Sequence, residues 1–233
     1  MKEQTFWDHI KELRKRIIYI ILFLIPNFIV CFIFSDYILT IISKPVESLY
    51  FFSPIEAFTV KLKLSFLSSI FISFPFIIYQ IWKFIEPALY SNEKKVLIIG
   101  SISSIMLFYS GSLLSIFIIT PIGFKFLMSF STENLKALIR ANDYLNFLLF
   151  MTLSFGFLFQ IPIIMTLLSA FKLVNPELYS KNRKIIVLLI FIVSAIITPT
   201  VDAFSMLLLV IPLIIIFEIG IITSRIVYRE KRN

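Results

Sequence analysis

Six apolar segments separated by short charged clusters set the rhythm of this chain. They cover residues 17–34, 64–81, 96–119, 145–171, 185–198 and 203–224. Crossing a bilayer takes roughly 20 helical residues, and the first four segments meet that length. The fifth rises only about 21 Å at 1.5 Å per residue. The sixth contains Glu218, which leaves about 22 Å of uninterrupted apolar helix before it. The turn Thr198-Pro199-Thr200-Val201-Asp202 joins these two into one short hairpin. Such a hairpin either crosses a locally thinned bilayer or dips in and returns, and both routes bring the chain back to the same side.

The stretches 35–63 and 120–144 are too long for simple turns and carry apolar residues such as Val46, Leu49, Tyr50, Phe51 and Phe52. They are expected to form short surface-lying helices, like a cap. Pro26, Pro75, Pro162 and Pro212 fall inside apolar segments. Each removes a helical hydrogen bond and frees a carbonyl that a neighbouring helix must satisfy. The expected architecture is therefore an all-α membrane protein, one domain over 1–233, with six transmembrane helices leaning into a concave bundle. No internal repeat is visible, so the inverted-repeat plan of many secondary transporters gains no support.

Composition strengthens the membrane reading. Hydrophobic residues make up 59% of the 233, and mean hydropathy is +0.95. A soluble domain is about 45–50% apolar, so a single core cannot absorb the excess. Five glycines and long apolar runs argue for helical spans over a β-barrel. The first segment is longer than a signal-peptide core and lacks a small-residue cleavage site, so it reads as a retained helix.

The charge distribution gives orientation. With six spans, 16 of the 22 basic residues fall on the face that holds both termini and the 82–95 and 172–184 loops. Cationic flanks favour the cytoplasm, so both ends are expected there. The net charge of +8 then reflects topology and anionic headgroups, and nucleic acid is not an expected partner.

Candidate chemistry is sparse. Cys31 and His9 are the only residues of their kinds, so no intrachain disulfide and no usual zinc, iron–sulfur or haem ligand set exists. No metal or cofactor is expected. The sequence contains no P-loop, GxSxG or HExxH motif and no paired intramembrane aspartates, so no catalytic residue is named and enzyme activity is not expected. A small-solute transporter or channel remains the rival. It would need a polar constellation at the midplane, where only Asn27, Gln160 and scattered serines are available.

Acidic residues on the basic face are the most informative. Glu12 sits among Lys11, Arg14, Lys15 and Arg16, and Glu93 beside Lys94 and Lys95. Each either pairs with its neighbours, for at most about 1 kcal/mol, or accepts a guanidinium from a partner. Gln160, in mid-segment, should face the bundle interior and find a hydrogen-bond partner. Glu218, about two helical turns before Arg225, lies close enough to the cytoplasmic interface to snorkel or to pair with a basic residue, and Asp202 is placed to cap the last helix.

Six ordered motifs then point one way. The first is His9-Ile10-Lys11-Glu12-Leu13-Arg14-Lys15-Arg16, followed by Ser53-Pro54-Ile55-Glu56-Ala57-Phe58. Residues 75–94 follow the pattern P-x3-YQxWxFxxPALxxxE. Gly156-Phe157-Leu158-Phe159-Gln160-Ile161-Pro162, Ile197-Thr198-Pro199-Thr200-Val201-Asp202, and Ile211-Pro212-Leu213 with Phe217-Glu218-Ile219-Gly220 complete the set. Together they resemble the TatC family, the multi-spanning receptor of the twin-arginine, Sec-independent protein translocase. Gln160 stands where that family usually has glutamate, and Val201 and Met206 replace a frequent proline and glutamine.

The resemblance implies a receptor that binds twin-arginine signal peptides of folded cargo and recruits single-span TatA- and TatB-like partners. Transport would be driven by the proton motive force, in the bacterial cytoplasmic membrane or that of an organelle. It implies a homo-oligomeric complex. It also implies that Glu12 and Glu93 read the arginine pair, with Arg14, Trp82, Phe84, Pro87, Leu89 and Tyr90 shaping the surface. Gln160, Glu218 and Asp202 become candidates for intramembrane or partner contact. Pro45, Pro54 and Phe58 become organisers of the outer cap.

Overall fold

The computed structural model describes residues 6–46, 49–86, 94–132, 138–198 and 202–230. It is built of helices: α1 (Phe6–Ile33), α2 (Ser35–Ile42), α3 (Pro54–Ile85), α4 (Lys94–Leu114), α5 (Thr120–Met128), α6 (Ala141–Leu158), α7 (Ile161–Ala170), α8 (Pro176–Lys181), α9 (Arg183–Ile197) and α10 (Ala203–Glu230). Among the described residues the extended pairing is one isolated parallel bridge. Tyr50 N–H donates to the Ile139 carbonyl at 2.9 Å, and Ala141 N–H donates to the Tyr50 carbonyl at 2.8 Å.

Among the described residues, five runs are long and apolar enough to cross a membrane: His9–Ile33, Pro54–Ile85, Ile98–Met128, Ala141–Ala170 and Ala203–Arg229. The segment expected as a fifth span forms α9, only 15 residues long.

Several boundaries differ from the hydropathy pattern. α3 starts ten residues before the apolar segment does, because Ser53 takes an extended conformation and Pro54 opens the helix with its φ already set. Glu56 in the first turn accepts the Phe52 N–H at 3.1 Å, which secures the start. Lys61 and Lys63 are therefore helical. They are held across the fold, Lys61 by Asp36 at 2.7 Å and Lys63 by the Asn142 and Asn146 amide oxygens at 2.7 Å each. The expected surface helices reduce to α2, since 54–63 belongs to α3. Residues 120–128 likewise extend α4, through a π turn at Ser115–Ile119. That turn immediately precedes Pro121, which cannot donate the backbone hydrogen bond of a regular helix.

Pro162 breaks the fourth run into α6 and α7, and α6 ends at Leu158, the residue whose carbonyl the proline ring displaces. Pro26, Pro75 and Pro212 lie inside unbroken helices.

Three apolar clusters bind the helices. Phe155, Met151, Met165, Leu209, Leu213, Phe217 and Ile221 join α6, α7 and α10. Val60, Leu64, Tyr144, Leu145 and Leu148 join α3 to α6 beneath α2, with Tyr144 Oη donating to the Ile42 carbonyl at 2.6 Å. Phe74, Ile78, Trp82 and Phe108 join α3 to α4, with Phe74 and Phe108 stacked 3.5 Å apart. α1 packs mainly on α3, through Phe23 stacked on Phe76 at 4.3 Å and Asn27 Nδ2 donating to Ser73 Oγ at 2.9 Å.

Candidate functional site

The start of α1 and the end of α3 meet at one end of the bundle. The His9 ring stands edge-on to Phe84, centroids 6.4 Å apart. One helical turn along α1, Glu12 Oε1 receives Arg16 Nη2 at 2.8 Å. The other terminal nitrogen of Arg16 donates to Oε1 of buried Gln80 at 3.2 Å. Glu12 is thus one corner of a carboxylate–guanidinium–amide chain linking α1 to α3. Arg14 is exposed beside it.

Trp82 is expected to shape a loop, and the structure instead places it in the last helical stretch of α3, buried against α4. The close approach depends on Gly100: a Cβ there would lie 3.1 Å from the indole. A cavity of about 460 Å³ opens beside it, lined by Tyr79, Trp82, Lys83, Glu86 and Ser101 among others. Lys83 Nζ donates to Tyr79 Oη at 3.1 Å. Pro87, Leu89, Tyr90 and Glu93 lie outside the described residues.

Gln160 sits at the α6–α7 break, where its side chain faces α4. Its Oε1 accepts the Ser104 hydroxyl, and its Nε2 donates to the carbonyls of Ser104 at 3.1 Å and Gly156 at 3.4 Å. Asp202 Oδ1 accepts the Ser205 N–H at 2.6 Å and so caps α10. Glu218 pairs with Arg183 at 2.7 Å, from the start of α9 and not from Arg225. Arg225 donates to Ser180 Oγ instead, at 2.6 Å.

At the opposite end, Pro45 is exposed in the turn after α2, and Pro54 opens α3. Phe58 is exposed, its ring edge-on to Phe32 at 6.2 Å. Sequence reasoning overlooked the ion pair here. Buried Glu56 accepts Arg140 Nε at 2.8 Å and the Asn142 N–H at 3.4 Å. The Glu56 hydrogen bond raises the Arg140 guanidinium above its ordinary value. The Ser53-x-x-Glu56 spacing is that of a capping box and was the available signal.

The comparisons fit this geometry. Residues 8–212 match the family described as Sec-independent protein translocase protein (TatC). The chain belongs to the TatC family. It is a multi-pass membrane protein, similar along almost its full length to curated TatC proteins. The Aquifex aeolicus (strain VF5) relative is 36% identical over 97% of this chain and 97% of its own. The Escherichia coli (strain K12) relative is 32% identical over 99% of this chain and 92% of its own. Two crystal structures described as the Twin Arginine Translocase Receptor TatC superpose with TM-scores of 0.82 and 0.83 at 32% identity. They cover 94% and 93% of this chain and 99% of each of those chains. These relatives favour the translocase expectation over that of a small-solute transporter or channel.

Proposed function

We propose that this chain is the signal-peptide receptor of a twin-arginine translocase in the bacterial inner membrane, with six spans and both termini in the cytoplasm. The observation that carries the reading is the near-full-length likeness to crystal structures of that receptor. The orientation rests on the 16 of 22 basic residues flanking one face.

Glu12 and Glu93 accept the guanidinium pair of the signal peptide. Glu12 already engages Arg16 as an i, i+4 pair, which contributes only about 0.3–0.5 kcal/mol at a surface. An incoming arginine offers a bidentate fork in its place. Arg16 keeps its Gln80 contact during the exchange, so α1 stays anchored to α3. Phe84 and His9 hold the two elements together, and Trp82, Pro87, Leu89 and Tyr90 shape the segment that carries Glu93. Arg14 flanks the entrance.

TatA- and TatB-like single-span partners pack along α9 and α10, whose outward faces expose Ile185, Leu188, Leu189, Ile192 and Ile196 on the first of them. Gln160 provides a polar floor in the concave face and, being an amide, does not titrate. Pro45, Pro54 and Phe58 organise the outer cap, and the proton motive force drives transport within a homo-oligomeric complex.

Glu93→Ala should abolish crosslinking of a twin-arginine signal peptide to the 82–95 segment while leaving insertion intact. Unchanged crosslinking, or reporter fusions placing 82–95 outside the cell, would refute the assignment.

A further inference from the structure

A polar cavity of about 350 Å³ lies between α8 and the end of α10, away from the α1–α3 site. It is lined by Asn175, Pro176, Glu177, Arg225, Tyr228 and Arg229. Arg225 and Arg229 are one helical turn apart and project from one face of α10. The Ser180 hydroxyl tethers the first guanidinium to α8. The amide oxygen of Asn175 is spent on capping α8, by accepting the Glu177 N–H at 3.0 Å, which leaves its NH2 as a donor.

The surroundings are apolar. Leu173 and Leu178 are 70% and 53% exposed on the turn and helix that border the cavity, and Ile222 and Ile226 of α10 are 57% and 54% exposed. Water alone is a poor neighbour for such a skirt. A membrane interface, with charged headgroups above hydrocarbon, suits both parts.

We infer that this cavity seats the phosphodiester of a membrane phospholipid, with Arg225 and Arg229 as the phosphate ligands. Guanidinium forks match phosphate oxygens geometrically as well as by charge. Basic pockets between transmembrane helices at the membrane surface take lipid headgroups by this means. Free phosphate shares the chemistry, but the exposed leucines and isoleucines gain nothing from it. Among the described residues Glu177 is the carboxylate in the lining, and it tempers the attraction for an anionic headgroup. The inference needs only the membrane character of the chain and is independent of how Glu12 and Glu93 act.

The full chain, purified in detergent and mixed with phosphatidylglycerol, should keep lipid bound in native mass spectrometry. The double variant Arg225→Gln/Arg229→Gln should retain roughly tenfold less, and Lys172→Gln/Lys181→Gln should match the parent. Glu177→Gln should retain more phosphatidylglycerol than the parent. Arg229→Gln alone, at an exposed position, should move in the same direction as the double variant and guards against misfolding. Equal retention in parent and double variant would overturn the site. Equal loss in the lysine control would reduce it to general surface charge. Displacement of the lipid by inorganic phosphate at matched concentration would overturn the phospholipid assignment.

Discussion

Gln160 shows how one side chain serves the fold when the backbone is broken. Pro162 ends α6 at Leu158, and the amide at 160 reaches across to both the hydroxyl and the carbonyl of Ser104. A carboxylate at this position could accept from the Ser104 hydroxyl but, while ionised, could not donate to the carbonyl. Replacing Gln160 by leucine leaves the buried Ser104 hydroxyl without its acceptor, a loss of about 1–3 kcal/mol. We expect Gln160→Leu to impair complex assembly on native gels more than signal-peptide crosslinking, with lower thermal stability in detergent. Intact assembly in that variant would refute its role as a polar floor. The residue-level reading of the sequence served well where chemistry is local. Asp202 caps α10 as its position suggests, and Gln160 finds partners as an amide inside an apolar run must. Glu218 pairs with a basic residue as expected, but its identity was not legible, because Arg183 is 35 residues away in sequence and only packing brings it within 2.7 Å.

At the scale of elements, helix ends follow capping chemistry more closely than hydropathy. α7 closes in a Schellman arrangement: Leu173 N–H donates to the Leu168 carbonyl at 2.9 Å, and Lys172 N–H to the Ser169 carbonyl at 3.1 Å. That geometry forces Lys172 to φ 58°, where a side chain other than glycine or asparagine is strained. Lys172→Asn is expected to raise stability by up to about 1 kcal/mol, read as a higher unfolding midpoint in detergent. No gain would mean that the lysine makes a compensating contact. The start of α3 obeys the same rule. The Ser53-Pro54-Ile55-Glu56 stretch initiates helix regardless of the lysines that follow, so charge clusters mark where spans were expected to end but not where helices do. The shortness of α9 was readable from residue spacing alone, since nothing after Ile197 continues the apolar run.

For the whole molecule, α1 is the outlying piece. Scarcely any of its apolar window is buried, and its packing runs mainly along α3. Its retention rests on a few polar links and one aromatic stack: Arg16 to Gln80, Asn27 to Ser73, and Phe23 on Phe76. Cys31, the lone thiol, is nonetheless buried at 2% exposure and so reports on this seam. Asn27→Leu leaves the Ser73 hydroxyl without its donor and should speed maleimide labelling of Cys31 by several-fold, about the effect of losing one net hydrogen bond. Labelling as slow as in the parent would show that the apolar contacts suffice. The cap end is bound differently. There the Glu56–Arg140 pair and the Tyr50–Arg140 bridge tie α3, the loop before it and α6 at one point.

What the sequence determined by itself was the class of the molecule, because burying this much apolar surface requires lipid, and the local devices that start, kink and stop helices. The ordered motifs between residues 9 and 220 also identified the family. Only the tertiary structure decided which polar groups meet. Glu12 with Arg16 is a neighbour relation along one helix, but Arg16 with Gln80, Glu56 with Arg140 and Gln160 with Ser104 each join residues more than fifty positions apart. Those pairings follow from how kinked helices lean on one another, and hydropathy, which is blind to relative rotation of helices, carries no trace of it.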